Sequence, residues 1–338
     1  MRKWFTPSSP LGLSPARKAT SYFLLILWSV IVLFPFYWLL TTAFKLPIDV
    51  SSGPKYLPFG DFQPSLNAWH EMHDFIPRPY RNTVVVGVVS SLLALFIGSF
   101  AAYALLRFKY RPRIGMVAVF ILCGSLAVAL VVVAGVYWWA AVLIAGVLFL
   151  AALATIGKRF KAALANDDIA FWLIAQRMLP PVAVILPIFM MFQRLGLLDT
   201  LWALIVVYTA TSLPLVVWFM RDYFLSIPLE LDESAFIDGA SRLQVVLRIV
   251  LPLSVPGLVA TFLIVLVFAW NELIFAIFLT RGDSKTMPVL GVAQNATRGP
   301  QWWNISLLVL LMVAPIVIMA VVLERFIARG ILLGAVKG

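Results

Sequence analysis

The sequence predicts an all-α, polytopic membrane helix bundle, and three observations carry that prediction. Hydrophobic residues make up 62% of the 338-residue chain and charged residues only 12%. Mean hydropathy is +0.99. The apolar residues also gather in eight runs, each long enough to cross a bilayer. A soluble globular chain is nearer half apolar and a quarter charged, so this one has too little polar surface to cover itself in water. A soluble enzyme and a disordered chain are both excluded.

A helix crossing a hydrocarbon core of about 30 Å needs about 20 apolar residues. Runs of that length stand at Tyr22–Phe44, Thr83–Leu105, Ile114–Ala134, Tyr137–Ile156, Ile169–Phe192, Thr200–Met220, Gly257–Leu279 and Ile305–Leu323. The first exceeds the apolar stretch of a signal peptide, and no small-x-small cleavage site follows, so it reads as a retained anchor. Eight spans place both termini on one side. Segments 1–21, 106–113, 157–168, 221–256 and 324–338 carry 17 Lys/Arg against 8 on the opposite side. The positive-inside bias therefore predicts a multi-pass membrane protein with N- and C-termini in the cytoplasm. The same bias explains the net charge of +11 without nucleic acid, because the basic residues lie in small clusters between apolar runs. Trp138, Trp139, Trp302 and Trp303 then fall near the outer interface, where amphipathic rings settle.

Prolines stand inside several spans, at Pro35, Pro180, Pro181, Pro187, Pro214 and Pro315. Each removes a backbone donor and favours a kink. The sequence shows no inverted repeat and no matching pair of interrupted helices, features that secondary transporters often have.

Few residues offer chemistry. The lone Cys123 excludes an intramolecular disulfide. No phosphate-binding G-x-x-x-x-G-K-[ST] occurs; Gly157-Lys158 lacks both the upstream glycine and the following hydroxyl. His70-Glu71-Met72-His73-Asp74 falls one position short of the zincin H-E-x-x-H and reads as a solvated outer segment. Asn295/Thr297 and Asn304/Ser306 fit glycosylation sequons, a pattern with little specificity. Two ionisable side chains lie within spans, Arg177 and Glu272. A charge in the bilayer costs several kcal/mol unless it faces protein or water. Together with Gln176 and Asn271 they are the translocation-path candidates. Arg177, near the cytoplasmic end of its span, is also within reach of the headgroup region.

The informative stretch is the cytoplasmic loop 221–256. Ile227-Pro228-Leu229-Glu230-Leu231-Asp232-Glu233-Ser234-Ala235 reads as a turn and then a helix with an acidic first turn, as its positive end favours. Leu231, Ala235 and Phe236 give this helix an apolar stripe. Gly239 permits a sharp change of direction, and a second amphipathic stretch, Leu243 to Leu251, runs to Pro252. Two short helices joined at a glycine form an element suited to protein docking.

At this loop the sequence resembles the permease subunits of binding-protein-dependent ABC importers. Their signature is E-A-A, three residues, G, nine residues, I, one residue, L-P. Here it stands as Glu233-Ser234-Ala235, Gly239, Ile249 and Leu251-Pro252, with Ser234 the single departure. Gln176-Arg177-Met178-Leu179-Pro180-Pro181, Leu195-Gly196-Leu197-Leu198-Asp199-Thr200-Leu201-Trp202, Trp270-Asn271-Glu272 and the closing Gly334-Ala335-Val336-Lys337-Gly338 are similar to the G-type subunit of the maltose transporter and its sugar-importing relatives.

The resemblance implies a six-span type I importer core in a transmembrane domain at 22–323, flanked by cytoplasmic segments 1–21 and 324–338. It implies a second, F-type permease subunit, an ATPase homodimer carrying ATP and Mg, and an extracytoplasmic sugar-binding protein. This chain would then be a transport subunit embedded in membrane lipid, with no catalytic residue, metal or cofactor of its own. Glu233, Ser234, Ala235, Gly239, Ile249, Leu251 and Pro252 would couple it to the ATPase. The outer loop Thr280–Trp303 would reach toward the binding protein, and the C-terminal tail toward the ATPase interface. Residues 114–168 depart from the pattern: relatives pass almost directly from the second core span to the Q-x-M-L-P-P span, whereas here a two-helix hairpin intervenes. Two other functions fit parts of the sequence. An ion-driven secondary transporter would use Glu272 as its proton site, and the loop signature alone also allows an ABC importer of a non-sugar solute.

Overall fold

The computed structural model describes residues 14–109, 111–156, 159–160, 162–295 and 299–335, with side chains as far as Glu324. The start of the N-terminal segment (1–13), Gly157-Lys158, the sequon residue Thr297 and the closing residues 336–338 lie outside the described residues. The chain divides into two compact units, one of residues 1–76 with 291–314 and the other of 77–290 with 315–338.

In the first unit α1 (Pro15–Ala43) begins at Ser14, whose Oγ accepts from the Arg17 N–H at 3.4 Å, with Pro15 in the first turn where its missing donor costs nothing. Residues 22–36 of this helix are exposed on every side although all but Ser29 are apolar or aromatic. A helix hydrophobic all round belongs in lipid or in a larger assembly. Two short helices, α2 (Pro47–Ser51) and α3 (Asn67–Met72), follow outside the membrane run.

The second unit is built on α4 (Pro77–Arg107), which packs along α9 (Leu201–Leu225), with α13 (Val255–Trp270) against both. Ordered between them along the chain are α5 (Ile114–Val132), α6 (Trp138–Thr155), α7 (Asn166–Ala175), α8 (Pro181–Arg194), α10 (Leu229–Ile237), α11 (Arg242–Val245) and α12 (Leu251–Leu253). After α13 come α14 (Ile274–Leu279), α15 (Met287–Ala293) and α16 (Trp302–Ala335), with the end of α15 and the first part of α16 (291–314) belonging to the first unit. The close approach of α4 to α9 rests on a stripe of small residues. Gly87 and Ser91, then Ala94, Gly98 and Ala102, recur every four positions on the buried face. A Cβ at Gly98 would lie 2.6 Å from a Val216 methyl, so only glycine fits there. Lipid tails supply no hydrophobic force between helices, and close backbone packing takes its place.

Among the described residues six helices are long and apolar enough to cross a membrane unbroken, and up to eight spans result if each of two bent pairs is one span. Two of the predicted spans need correction. Ile169–Phe192 is not one helix: α7 tightens into a 3₁₀ turn at Gln176–Met178, stops at Leu179, and α8 restarts at Pro181 with a 90° bend. The adjacent prolines remove two donors, and Leu179 is pushed to the extended conformation (φ −69°, ψ 123°), as a residue before proline prefers. Gly257–Leu279 is also interrupted, because α13 ends at Trp270 and α14 starts at Ile274. The chain therefore has two interrupted spans that the apolar runs did not reveal, one at paired prolines and one at Asn271-Glu272. Pro35, Pro187, Pro214 and Pro315 stay inside continuous helices. Helix α16 continues past Glu324 into the segment 324–338 as far as Ala335.

The inserted pair α5 and α6 packs on itself through a turn containing Gly135 (φ 67°). Its base is pinned: Ile114 N–H donates to the Ala162 carbonyl and Leu164 N–H to the Pro112 carbonyl, both at 2.9 Å. A reporter fused after Ala165 is expected to be cytoplasmic, and one fused after Gly60 exported. Export of the Ala165 fusion would mean that 114–156 does not cross the membrane as a hairpin.

Candidate functional site

The loop 221–256 folds as two short helices meeting at a glycine. Helix α10 ends at Ile237, Gly239 takes φ +82°, and Ser241 caps α11 in a box with Gln244: Gln244 N–H donates to Ser241 Oγ at 3.4 Å, and Ser241 N–H to Gln244 Oε1 at 2.7 Å. A π turn (Val246–Val250) leads into Leu251-Pro252, and a 78° bend at Ser254 starts α13. The signature residues separate into two sets. Ala235, Ile249 and Leu251 pack inward against the α4–α9 core, while Glu233, Ser234, Gly239 and Pro252 are exposed.

The expected stripe on α10 is corrected by the structure. Ala235 faces inward as predicted, but its buried companion is Asp232, and Leu231, Phe236 and Ile237 face outward. Asp232 is 1% exposed. Its Oδ2 lies 3.0 Å from Arg107 Nε and accepts from the Tyr103 hydroxyl at 3.2 Å. Arg107 also donates to the Ile227 carbonyl at 2.9 Å, and the Arg242 guanidinium sits over the Phe108 ring at 4.6 Å. The loop is thus anchored to the end of α4 by a buried ion pair. Sequence reasoning missed it, because one acid among five in a surface loop gives no sign of burial.

The two helix breaks line one cavity of about 400 Å³, whose walls include Gln176, Arg177, Tyr208, Phe268 and Glu272. Three of the four path candidates therefore come together. Asn271 does not join them; it is exposed, and its side-chain amide donates to the Val267 carbonyl at 2.8 Å, closing the end of α13. Glu272 accepts from the N–H groups of Phe275 (3.1 Å) and Ala276 (3.3 Å), so its carboxylate caps α14. Tyr208 donates to the Glu272 carbonyl at 3.4 Å, joining the break to α9. Arg177 lies over the Phe268 ring at 5.1 Å and has no carboxylate partner among the described residues.

A second organised region was also not foreseen. Asp199, itself at φ +57°, accepts from the N–H groups of Arg281, Gly282 and Ser284 and from the Ser284 hydroxyl at 2.6 Å. Asn82 donates to the carbonyls of Asp283 (2.7 Å) and Lys285 (2.9 Å), and Arg78 pairs with Asp283. The start of the outer loop 280–303 is held by these contacts. Partial burial raises the Asp199 carboxyl, but the hydroxyl and backbone donors outweigh it and hold it well below the usual carboxylate range. Its contribution is therefore present above the ordinary carboxylate pKa and is lost only as pH falls through the depressed folded value. Asp199→Asn, which places an amide among these donors, is expected to cost about 1.5–3 kcal/mol and to increase hydrogen exchange at 281–284 selectively. Unchanged exchange there would show that the clamp does not order the loop.

The zincin-like segment has another role. Glu71 accepts from Asn67 (2.7 Å), from the Trp303 indole (3.0 Å) and from Asn304 (2.8 Å). Burial raises its carboxyl, yet these donors prevail and lower it overall. No cluster of three metal-ligating side chains occurs among the described residues.

Residues 163–332, which include the loop and both breaks, match the family described as the binding-protein-dependent transport system inner membrane component. Over 320 residues the chain is 31% identical to the inner membrane ABC transporter permease protein YcjP of Escherichia coli (strain K12), covering 93% of this chain and 94% of that protein. It is 28% identical to the trehalose/maltose transport system permease protein MalG of Thermococcus litoralis, over 93% of this chain and 94% of that one. It is 27% identical to the diacetylchitobiose uptake system permease protein NgcG of Streptomyces coelicolor, over 94% and 89% respectively. In fold it is similar to a chain from the crystal structure of a bacterial ABC transporter involved in the import of the acidic polysaccharide alginate, with a TM-score of 0.59 and 19% identity over 94% of this chain and 99% of that one.

Proposed function

The chain belongs to the family of binding-protein-dependent transport system inner membrane components, and from that membership we propose that it forms one transmembrane half of an ATP-driven carbohydrate importer. It is a multi-pass transport subunit rather than an enzyme. Its partners are a second permease subunit of the F type, an ATPase homodimer that binds ATP and Mg, and an extracytoplasmic sugar-binding protein. The observation that carries the reading is the loop 221–256. Its signature residues divide into an inward set anchored on α4 and α9 and an outward set around Gly239. An element rigidly held on one side and exposed on the other can pass a motion of the ATPase into the bundle. The sugar assignment draws on the trehalose/maltose and diacetylchitobiose permeases among its relatives.

The cavity at the two breaks serves as part of the translocation path, with Gln176, Arg177 and Glu272 on its wall. Broken helices leave backbone groups and charged side chains at membrane depth, and these are tolerated where they line a wet cavity. Glu272→Gln keeps the shape and one carbonyl oxygen for the cap, so the chain is expected to assemble with its ATPase while uptake falls. Full uptake by this variant would leave Glu272 as a helix cap only.

Uptake in cells carrying the chain with its neighbouring binding protein and ATPase tests the reading as a whole. Uptake of a carbohydrate is expected to be lost when the ATPase cannot hydrolyse ATP. Uptake that survives loss of the ATPase but collapses with an uncoupler would establish an ion-driven transporter. Import confined to amino acids or polyamines would remove the sugar assignment.

A further inference from the structure

The inserted hairpin and α7 enclose an apolar groove of about 1190 Å³, separate from the cavity at the helix breaks, whose wall carries Gln176, Arg177 and Glu272. Its walls come from the beginning of α5 (Ile114 to Ile121), the end of α6 (Phe149, Leu153) and the beginning of α7 (Ile169 to Leu173). All three stretches adjoin the same loops, so the groove lies within one leaflet. No charged residue occurs anywhere in 114–156, and among the lining residues only Arg113 is charged. Trp172 stands on the wall as well, a ring that favours the depth of the headgroups.

The mouth is basic. Arg113 belongs to the groove, and its neighbours Lys109 and Arg111 are exposed. Residues 112–114 pair with 162–164, which brings the exposed Arg159, just beyond α6, into the same interfacial region. This is the side that the charge distribution assigns to the cytoplasm, where anionic lipids concentrate beside juxtamembrane basic residues. A groove with almost no polar atom along its length cannot recognise a hydroxyl-rich solute, and a basic mouth above an apolar slot matches a molecule with a phosphate head and hydrocarbon chains.

We propose that the groove between the inserted hairpin and α7 binds an anionic phospholipid of the cytoplasmic leaflet, with acyl chain between α5, α6 and α7 and phosphate at Arg113 and Arg111. The hairpin then has a specific purpose: it builds a lipid site on the flank of the broken α7–α8 span, one wall of which leads directly to Gln176 and Arg177.

The test uses the complete transporter purified in mild detergent. Native mass spectrometry would compare retention of added phosphatidylglycerol with that of phosphatidylcholine of the same chains. At least one phosphatidylglycerol per complex is expected to be retained preferentially. Arg111→Gln with Arg113→Gln is expected to weaken it about thirtyfold, at roughly fivefold for each basic residue. Ala118→Trp, which fills the groove and leaves the basic mouth alone, is expected to abolish retention. Should that variant assemble poorly, photoactivatable phosphatidylglycerol applied to the unmodified complex is expected to label peptides containing 114–121 and 169–173. Equal retention of the two lipids, or a preference that both variants leave intact, would overturn the proposal. So would labelling confined to other helices, or a crosslink from Phe120→Cys to the second permease subunit, which would mean that protein covers the groove.

Discussion

Gly239→Asp is expected to leave the membrane bundle in place and reduce transport to background. The residue stands between α10 and α11 at φ +82°, in the left-handed region. Any L-residue there pays about 1–2 kcal/mol in backbone strain. Within the chain a Cβ would meet nothing inside 4 Å, so strain and not collision is the internal cost. On the proposed coupling role the larger effect lies outside: an added carboxylate at an exposed bend would have to be desolvated for an ATPase to close over it. Gly239→Ala bears the strain without the charge and is expected to keep part of the activity. The measurement is the uptake rate, normalised to membrane-embedded permease pair. Equal loss in the two variants would assign the effect to backbone strain alone, and normal uptake by Gly239→Asp would remove the coupling role of the bend.

Arg107→Ala is expected to have the second largest effect, because it leaves Asp232 buried and without its cation. Removing one partner of a buried pair typically costs about 3–5 kcal/mol. The pair here qualifies, with side chains 12% and 2% exposed. Asp232 Oδ1 already has no hydrogen-bond donor among the described residues, so little else can stabilise the orphaned charge. The loop is expected to detach from α4, becoming open to proteolysis between 228 and 245 while the spans stay intact. Adding Asp232→Asn removes the stranded charge and is expected to recover part of the loss, a non-additivity read from a double-mutant cycle. Strict additivity would mean that the two side chains do not act as a pair.

Hydropathy made the class, and most of the spans, legible in the sequence, because the bilayer imposes one length on every crossing helix. The break at Leu179-Pro180 was foreshadowed by its prolines. The break at Asn271-Glu272 was not, since neither residue is a helix breaker and apolar residues continue on both sides. The break is held by a local and a distant contact: Glu272 caps the next helix three and four residues on, and Tyr208, sixty-four positions away, donates to its carbonyl. The glycine bend of the loop could be placed from spacing alone. The inward face of α10 could not, because an acid becomes a core residue only when Arg107 and Tyr103, more than a hundred positions away, close on it. Asp199 is similar: a residue before a helix-capping threonine reads as a turn, and its four donors come from a loop some eighty residues on.

The claim on which the rest depends is that the bend at Gly239 meets an ATPase on the cytoplasmic side. Ile237, 86% exposed at the end of α10, offers the position from which to measure it. In a Cys123→Ser background, Ile237→Cys in the assembled transporter is expected to crosslink to the ATPase subunit through a short thiol reagent. Leu57→Cys, on the exposed segment before α3, is expected to give no such product. An ATPase adduct from position 57 and none from position 237 would contradict both the orientation of the chain and its coupling loop.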